Sequence, residues 1–216
     1  MGEPASEKVI LSGDKNNYFN ASYIDLHLKK IINCIGGGPA DIQEAYSWGT
    51  HASMLTSFIE PGHYDVFLSK DELERVYTWI DINGPYYPEY ESAYPNNHAG
   101  RSPLKDEEIK RIEELSGILF KDLAGFTRKL GPQISFERPH LSPLLKNVKS
   151  EEDRQEIIRI LDIGMKRLLE TPRADMEGFI PCPEHQNKLR NYEQVRAKQV
   201  EILSMIASGK KVYDGD

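Results

Sequence analysis

The sequence contains only two cysteines, Cys34 and Cys182, and they are far apart in the chain. Neither belongs to a Cys-x-x-Cys pair, so the sequence gives no basis for a tetrahedral zinc site built on cysteine. Two free thiols are the simpler interpretation. One disulfide between them is the alternative, because sequence alone does not test the geometry that a disulfide needs.

Long apolar runs are also missing. No segment approaches the roughly 18 consecutive apolar residues of a membrane-spanning helix, so we expect no membrane insertion. The first residues, MGEPASEKVIL, lack the apolar core of a secretory signal peptide. No basic tract is interleaved with aromatic residues, and the net charge is −7, so we do not expect nucleic acid as a partner.

No segment alternates convincingly between apolar and polar residues, whereas apolar residues recur at helical spacing in several places. The sequence therefore predicts a mainly α-helical protein with long ordered loops. A first helix is predicted from Ser22, as its N-cap, to about Ile32. A second, short helix holds Met54 and Phe58, with Thr50 or Ser53 as its cap.

The next helix has a clear start signal. Ser69 and Glu72 form a capping-box pattern, in which each side chain satisfies a backbone N–H of the other residue. Gly84 and Pro85 end this helix.

Three helices follow in the second half of the chain. The first of these helices begins at Asp106, and we extend its apolar face to Leu119. The second is capped by Ser150, and its predicted buried face includes Leu169. The last predicted helix covers about 186–208.

A catalytic constellation is not visible in the sequence. No GxSxG motif is present, and Cys182 and His185 lie three residues apart in a proline-rich loop, which is not a recognised nucleophile–base spacing. No pair of carboxylates stands out from the charged helix faces. The sequence therefore favours a protein that is not an enzyme.

Five pieces cover most of the chain, in this order, with the long helices between them: LSGDKNNYFNASY, IGGGPADIQEAYSWGTHASML, GHYDVFLSKDELERVYTWIDINGPYYPEYESAYPNNHAGRSPL, ISFERPHLSPLL and PRADMEGFIPC. In these pieces the chain resembles the C-terminal, haem-associated region of hydrazine synthase alpha-subunit-like proteins. These are large exported multidomain cytochromes.

The resemblance implies a single domain with a cytochrome-c-like helical core at about 20–100 and a helical extension at about 101–216. It also implies electron transfer, haem c in the parent protein and a periplasmic or otherwise exported location. The implied partners are a redox partner or other domains of the parent protein. Hydrazine chemistry is not carried over, because a likeness in scaffold is a poor guide to the reaction.

The chain departs from the family at one place. Family members carry a Cys-x-x-Cys-His haem-attachment motif just before the segment that matches LSGDKNNYFNASY, and MGEPASEKVI occupies that place here. Covalent attachment of haem needs both thiols, so we predict no covalently bound haem on this chain.

The candidate haem-binding residues lie between Trp48 and Trp79. His63 is the first candidate, as an axial haem ligand and therefore a metal ligand, presented by the connector between two helices. A turn residue hydrogen-bonded to backbone is the alternative for His63. His51 is the second candidate, with a structural hydrogen bond near Trp48 as its alternative. Trp79 has core packing as its alternative.

Two other functions stay open. The chain could be a haem-free structural or interaction domain that keeps the scaffold for packing. It could also bind glycans through a tyrosine loop, since rings stack on sugars and amides bind hydroxyls. The residues of that loop are Tyr86, Tyr87, Tyr90, Tyr94, Asn96 and Asn97. Such a loop more often packs onto its own domain.

The segment near residue 14 is rich in oxygen donors, contributed by Asp14, Asn16, Asn17 and Asn20. A calcium site is conceivable there, but the spacing lacks the glycine and the bidentate glutamate of an EF-hand loop. Turns stabilised by hydrogen bonds from these side chains to the backbone are the default interpretation.

Overall fold

The computed structural model describes residues 9–35, 42–59, 65, 67–87, 92–120 and 130–210. The protein is mainly helical, as the sequence predicts. The α-helices are α1 (Ala21–Leu28), α2 (Met54–Ile59), α3 (Lys70–Asp81), α4 (Asp106–Ser116), α5 (Glu151–Glu170) and α6 (Pro183–Ala207). Short 3₁₀ helices occupy Thr50–Ala52, His98–Gly100, Pro139–Leu141 and Pro143–Asn147.

The described ranges contain no β-strand. One isolated antiparallel bridge joins Lys15 and Asn20, just before α1. Within the same ranges, none of the helices combines the length and the apolar character that crossing a membrane would require.

The chain divides into two compact units, Met1–Asp175 and Met176–Asp216. The first unit contains α1 to α5, and the second contains α6, which has no buried residue. The predicted division of a single domain at about residue 100 is not tested by this partition and stays a prediction.

Local capping patterns correctly locate two helix starts. The Ser69 hydroxyl accepts a hydrogen bond from the Glu72 N–H (3.3 Å), and the Glu72 carboxylate accepts one from the Ser69 N–H (2.8 Å). The Ser150 hydroxyl accepts from the Asp153 N–H (3.3 Å) at the start of α5. Each cap satisfies a backbone donor that the helix itself leaves unpaired.

The predicted cap of the first helix is wrong. Asn20, not Ser22, caps α1, because its side-chain oxygen accepts from the Tyr23 N–H (2.9 Å). The helix also ends early, at Leu28, and Lys30 adopts a positive φ of 54°. An amide oxygen is as good a cap as a hydroxyl, and the sequence places both side chains within two residues.

The core of the first unit is built where α4 and α5 pack together and where Pro143–Asn147 packs on α4. Its fully buried residues include Leu104, Ile112, Phe136, Leu144, Ile157 and Leu161. Gly164 lies at a close contact within this core, because a Cβ atom at this position would lie 2.5 Å from Cε1 of Phe136. Glycine therefore lets α5 approach the phenyl ring.

Two apolar residues that we assign to buried helix faces are exposed. Leu119 is 61% exposed because Gly117, with φ +70°, ends α4 before the helical spacing reaches it. Leu169 is 66% exposed although its neighbour Leu168 is fully buried. Adjacent helical residues point about 100° apart, so only one of the two reaches the core.

Candidate functional site

The connector between α2 and α3 carries the first candidate ligand. His63 lies outside the described residues, so its role as a haem or metal ligand stays a prediction. The helices on both sides are described: α2 ends at Ile59 and α3 begins at Lys70. The geometry of these two helices determines where the connector starts and ends.

The segment before α2 is fixed by backbone hydrogen bonds to the chain that follows α1. The Leu55 N–H donates to the Ile31 carbonyl (2.8 Å), and the Asn33 N–H donates to the Ser53 hydroxyl (2.8 Å). The Ser53 hydroxyl in turn donates to the Gly49 carbonyl (2.7 Å). Ser53 is buried, so these bonds are shielded from water and hold α2 in place.

The end of α3 is tied to the 3₁₀ helix Thr50–Ala52. The Thr50 N–H donates to Oδ1 of Asp81 (2.8 Å), and the Thr50 hydroxyl donates to Oδ2 (3.3 Å). Gly49 makes this approach possible, because it has φ +72° and a Cβ atom there would lie 2.6 Å from Oδ1 of Asp81. The position of His51 is therefore set by α3.

The described candidate side chains lie at the surface or half-buried. His51 is exposed, and its ring contacts Tyr46 edge to face at 4.8 Å between centroids. Trp48 and Trp79 are both half-buried, and the Trp79 indole N–H donates to the Pro85 carbonyl (2.9 Å). In the described part of the chain, no ring contact joins His51 to either tryptophan.

The two helices that flank the connector bury little of their apolar surface. No residue of α2 is buried, and Ile80 is the only buried residue of α3. Met54 and Phe58, four positions apart on one face of α2, are both exposed. Phe67, just before α3, is 70% exposed. Of the apolar positions of this helix pair, Met54 and Phe58 are thus exposed, whereas the others are half-buried apart from the buried Ile80.

Metal-ligand clusters are absent from the residues that the structure describes: no group of three or more His, Cys, Asp and Glu side chains is placed to hold a metal ion. Cys34 and Cys182 do not form a disulfide. The Cys34 sulfur and Cε1 of His27 both lie against Gly84, at 3.1 and 3.6 Å from the position that a Cβ atom would take there.

In the tyrosine loop, the described residues Tyr86, Tyr87 and Tyr94 pack onto their own unit, whereas Tyr90 lies outside the described residues. The Tyr86 hydroxyl donates to the Asp175 carboxylate, and the Tyr87 hydroxyl donates to the Tyr18 carbonyl (2.5 Å). The Tyr94 hydroxyl donates to a backbone carbonyl at the end of α5. Burial raises the pKa values of Tyr87 and Tyr94 to about 12 and raises that of Tyr86 further. With hydroxyls and faces engaged internally, the loop favours packing over a glycan-binding face.

The oxygen-rich segment does not converge on one point. Each of Asp14, Asn16, Asn17 and Asn20 has its own protein partner. Asp14 accepts from the Arg138 guanidinium, and Asn16 accepts from the Ile134 N–H. Asn17 accepts from the Ser102 hydroxyl, and Asn20 accepts from the Tyr23 N–H. The observed hydrogen bonds therefore favour a structural role for these side chains.

Sequence reasoning missed a buried polar group, which we call the Arg173 cluster. Its members are Lys15, Asn16, Asn17, Tyr86, Arg173 and Asp175. Nη1 of Arg173 donates to the carbonyls of Asn16 (3.1 Å) and Asn17 (3.0 Å), and its Nε lies 3.2 Å from Oδ1 of Asp175. Oδ2 of Asp175 also accepts from Tyr86 and lies 3.4 Å from the Lys15 ammonium.

The Arg173 cluster joins three segments that are distant in sequence: the stretch before α1, the tyrosine loop and the stretch after α5. The only local signal was an arginine and an aspartate two positions apart in a loop, which is too common to predict a buried pair. The hydrogen bonds that it makes are directed at protein groups, which favours a structural connection. Four of its buried polar atoms have no hydrogen-bond partner in the described part of the chain, namely Nδ2 of Asn16 and of Asn17, Nε of Arg173 and Oδ1 of Asp175.

A search of protein-family models, of curated proteins and of solved structures finds no match to this chain. The resemblance to the haem-associated region of hydrazine synthase alpha-subunit-like proteins is therefore neither supported nor contradicted by these comparisons.

Proposed function

We propose that the chain is a cytochrome-c-like electron-transfer module of an exported multidomain protein, and that its α2–α3 connector presents His63 to a haem. The haem is not attached to this chain through a Cys-x-x-Cys-His motif, because the sequence has none. A redox partner, or other domains of the parent protein, belongs to the same proposal.

The observation that carries the proposal is the accessible apolar surface on the described residues that flank the connector. Met54 and Phe58 of α2 and Phe67 before α3 are exposed, although apolar side chains at such spacing normally lie in a core. A flat macrocycle is mostly apolar, so these side chains suit one as a covering group.

The hydrogen bonds at the start of α2 and at the end of α3 support the placement of the His51 imidazole. Bonds from Leu55 and Asn33 fix the start of α2, and the bonds between Thr50 and Asp81 fix the residue before His51 against the end of α3. A residue held by such a frame loses little freedom when its side chain binds a ligand, which favours affinity.

The roles of the other candidate residues follow from their positions. His51 is exposed and held next to α3, so it serves as the alternative ligand or as a donor at the haem edge. Trp48 and Trp79 supply half-buried rings. The haem itself supplies the reversible one-electron couple, whose potential depends on the axial ligand and on burial.

A haem-free interaction domain is the second candidate. The same exposed side chains favour it, because an apolar surface of this kind also suits a protein partner. The two candidates differ in one respect: only the electron-transfer module needs an imidazole at the surface.

A titration with ferric haem tests the proposal. The full chain is titrated while the Soret absorption is followed, in parallel with the variants His63→Ala and His51→Ala. His185→Ala is the matched control, because His185 lies near the start of α6, outside both the α2–α3 region and the residues around His140. We expect a shifted Soret band for the parent chain and for the control, and a band closer to that of free haem for His63→Ala.

An unchanged Soret band in His63→Ala would remove His63 from the role of ligand. If only His51→Ala loses the shifted Soret band, His51 rather than His63 is the haem ligand. A parent chain that leaves the haem spectrum unchanged would contradict the electron-transfer module and favour the haem-free domain.

A further inference from the structure

A groove of about 440 Å³ opens beside the start of α5, far in sequence from the α2–α3 region. We call it the α5 groove. Its apolar part is formed by Leu141, Leu145 and Ile158, and its polar part includes His140, Lys146, Glu151 and Arg154. Small-molecule sites commonly have this volume and this mixture of apolar surface with a few polar groups.

The walls of the groove are rigidly placed. Two 3₁₀ helices, Pro139–Leu141 and Pro143–Asn147, form one side, and the proline at the start of each fixes φ. The Ser142 hydroxyl between them accepts from the Ser135 N–H (3.0 Å). On the other side, Nε of Arg154 donates to the Val148 carbonyl (2.9 Å), which orients the guanidinium.

The charge of the groove is opposite to that of the whole chain. The protein has a net charge of −7, yet Lys146 and Arg154 line the groove against one carboxylate, that of Glu151. Glu151 accepts from the side chain of Gln155 (2.9 Å). In the described ranges, no carboxylate bonds to Lys146 or to the terminal nitrogens of Arg154.

One further feature favours an anion, because His140 offers a ring N–H in either neutral tautomer. The groove lies at the start of the 20-residue helix α5, where the carboxylates of Glu151, Glu152 and Asp153 in the first turn already offset the positive end of the helix dipole. Simple phosphate would leave the leucine and isoleucine surface uncovered, whereas a neutral apolar ligand would leave both cations unpaired.

We propose that the α5 groove binds a small organic anion, in which a carboxylate or sulfonate is joined to an apolar body. The charged group pairs with Lys146 and Arg154, and the apolar body covers Leu141 and Ile158. This site is independent of the proposed haem function, because it shares no residue with the α2–α3 region.

The test uses matched ligand pairs that differ only in charge. Binding of 1-anilinonaphthalene-8-sulfonate to the full chain is followed by its fluorescence, with neutral N-phenyl-1-naphthylamine as the uncharged analogue. Displacement by 4-phenylbutyrate is compared with displacement by 4-phenylbutanol. We expect the sulfonate to bind, and we expect the butyrate to displace it at concentrations at least about tenfold lower than the alcohol.

Matched variants locate the binding. Lys146→Gln should weaken binding of the sulfonate by about two- to fivefold, since a charge pair at an exposed lysine is screened by solvent and typically contributes that much. Lys149→Gln is the control, because Lys149 is also exposed and does not line the groove. Leu141→Ser, at an exposed wall position, should weaken both the charged and the neutral probe.

Equal affinities of Lys146→Gln and Lys149→Gln would overturn the proposal. So would equal displacement by the butyrate and the alcohol, or a parent chain that does not bind the sulfonate. Arg154→Gln provides a second site for the test. Lys146 and Lys149 are exposed, so the comparison between their variants is valid even if Arg154→Gln fails to fold.

Discussion

Replacing Arg173 by methionine removes a guanidinium that is only 2% exposed, while the apolar length of the side chain is largely kept. The substitution leaves the carbonyls of Asn16 and Asn17 without their donor. It also removes the closest cation from Asp175, at 3.2 Å. The perturbation thus acts on all the partners of one buried side chain.

The magnitude follows from the groups left behind. Removing one member of a buried ion pair typically costs about 3–5 kcal/mol, because a charge remains buried without its partner. Asp175 keeps Lys15 and Tyr86 as partners, so we expect a value near the lower end, about 3 kcal/mol. For a domain of this size that corresponds to a decrease in Tm of about 6–12 °C.

Urea unfolding followed by tryptophan fluorescence measures this loss, because both tryptophans, Trp48 and Trp79, lie in the first unit. Arg159→Met is the control, since Arg159 is exposed on α5 and should change the free energy of unfolding by less than about 0.5 kcal/mol. Combining Arg173→Met with Asp175→Asn should cost less than the sum of the single changes. A loss for Arg173→Met no larger than that of the control would refute the assigned role of the cluster.

Two further predictions concern the packing of α4 and α5. Gly164→Ala should destabilise the protein by about 1–2 kcal/mol in urea unfolding, because the close contact with Phe136 outweighs the better helix propensity of alanine, and stabilisation would contradict the contact. For Glu108, burial works against ionisation, but hydrogen bonds from Arg167 and the Lys105 N–H prevail and lower its pKa below 4.5. Its contribution to stability is therefore present above pH 4.5 and lost as the pH falls through the lowered pKa, so Glu108→Gln should reduce the loss of stability between about pH 6 and pH 3. An unchanged pH profile in this variant would disprove the role of the carboxylate.

The sequence predicts features whose causes are local. Ser69 and Ser150 could be assigned as caps because a cap and its partner lie three residues apart. The choice of Ser22 over Asn20 failed because both are good caps at the same helix start. The prediction that Leu169 is buried was wrong because helical spacing identifies an apolar stripe but does not determine which edge of the stripe faces the core.

At the candidate site, too, the sequence predicts what depends on neighbouring residues and misses what depends on contacts between distant residues. The sequence identifies His51 as a candidate ligand, and the structure places this residue in the 3₁₀ helix Thr50–Ala52, while its role as a ligand stays a prediction. The bonds from Thr50 to Asp81 join residues 31 positions apart, and the bond from Arg173 to Asn16 joins residues 157 positions apart. Neither pair carries a motif, so the bonds beside the candidate site and those of the Arg173 cluster could be recognised only once the tertiary arrangement was known.

The long separation within the Arg173 cluster has a consequence for biosynthesis. Asn16 and Asn17 leave the ribosome well before Arg173, and at ordinary elongation speeds the delay is roughly 8 to 30 s. During that interval the amino-terminal stretch lacks the guanidinium that satisfies its carbonyls. Nascent chains that stall before codon 173 should therefore remain sensitive to proteases, whereas those released just beyond codon 175 acquire resistance.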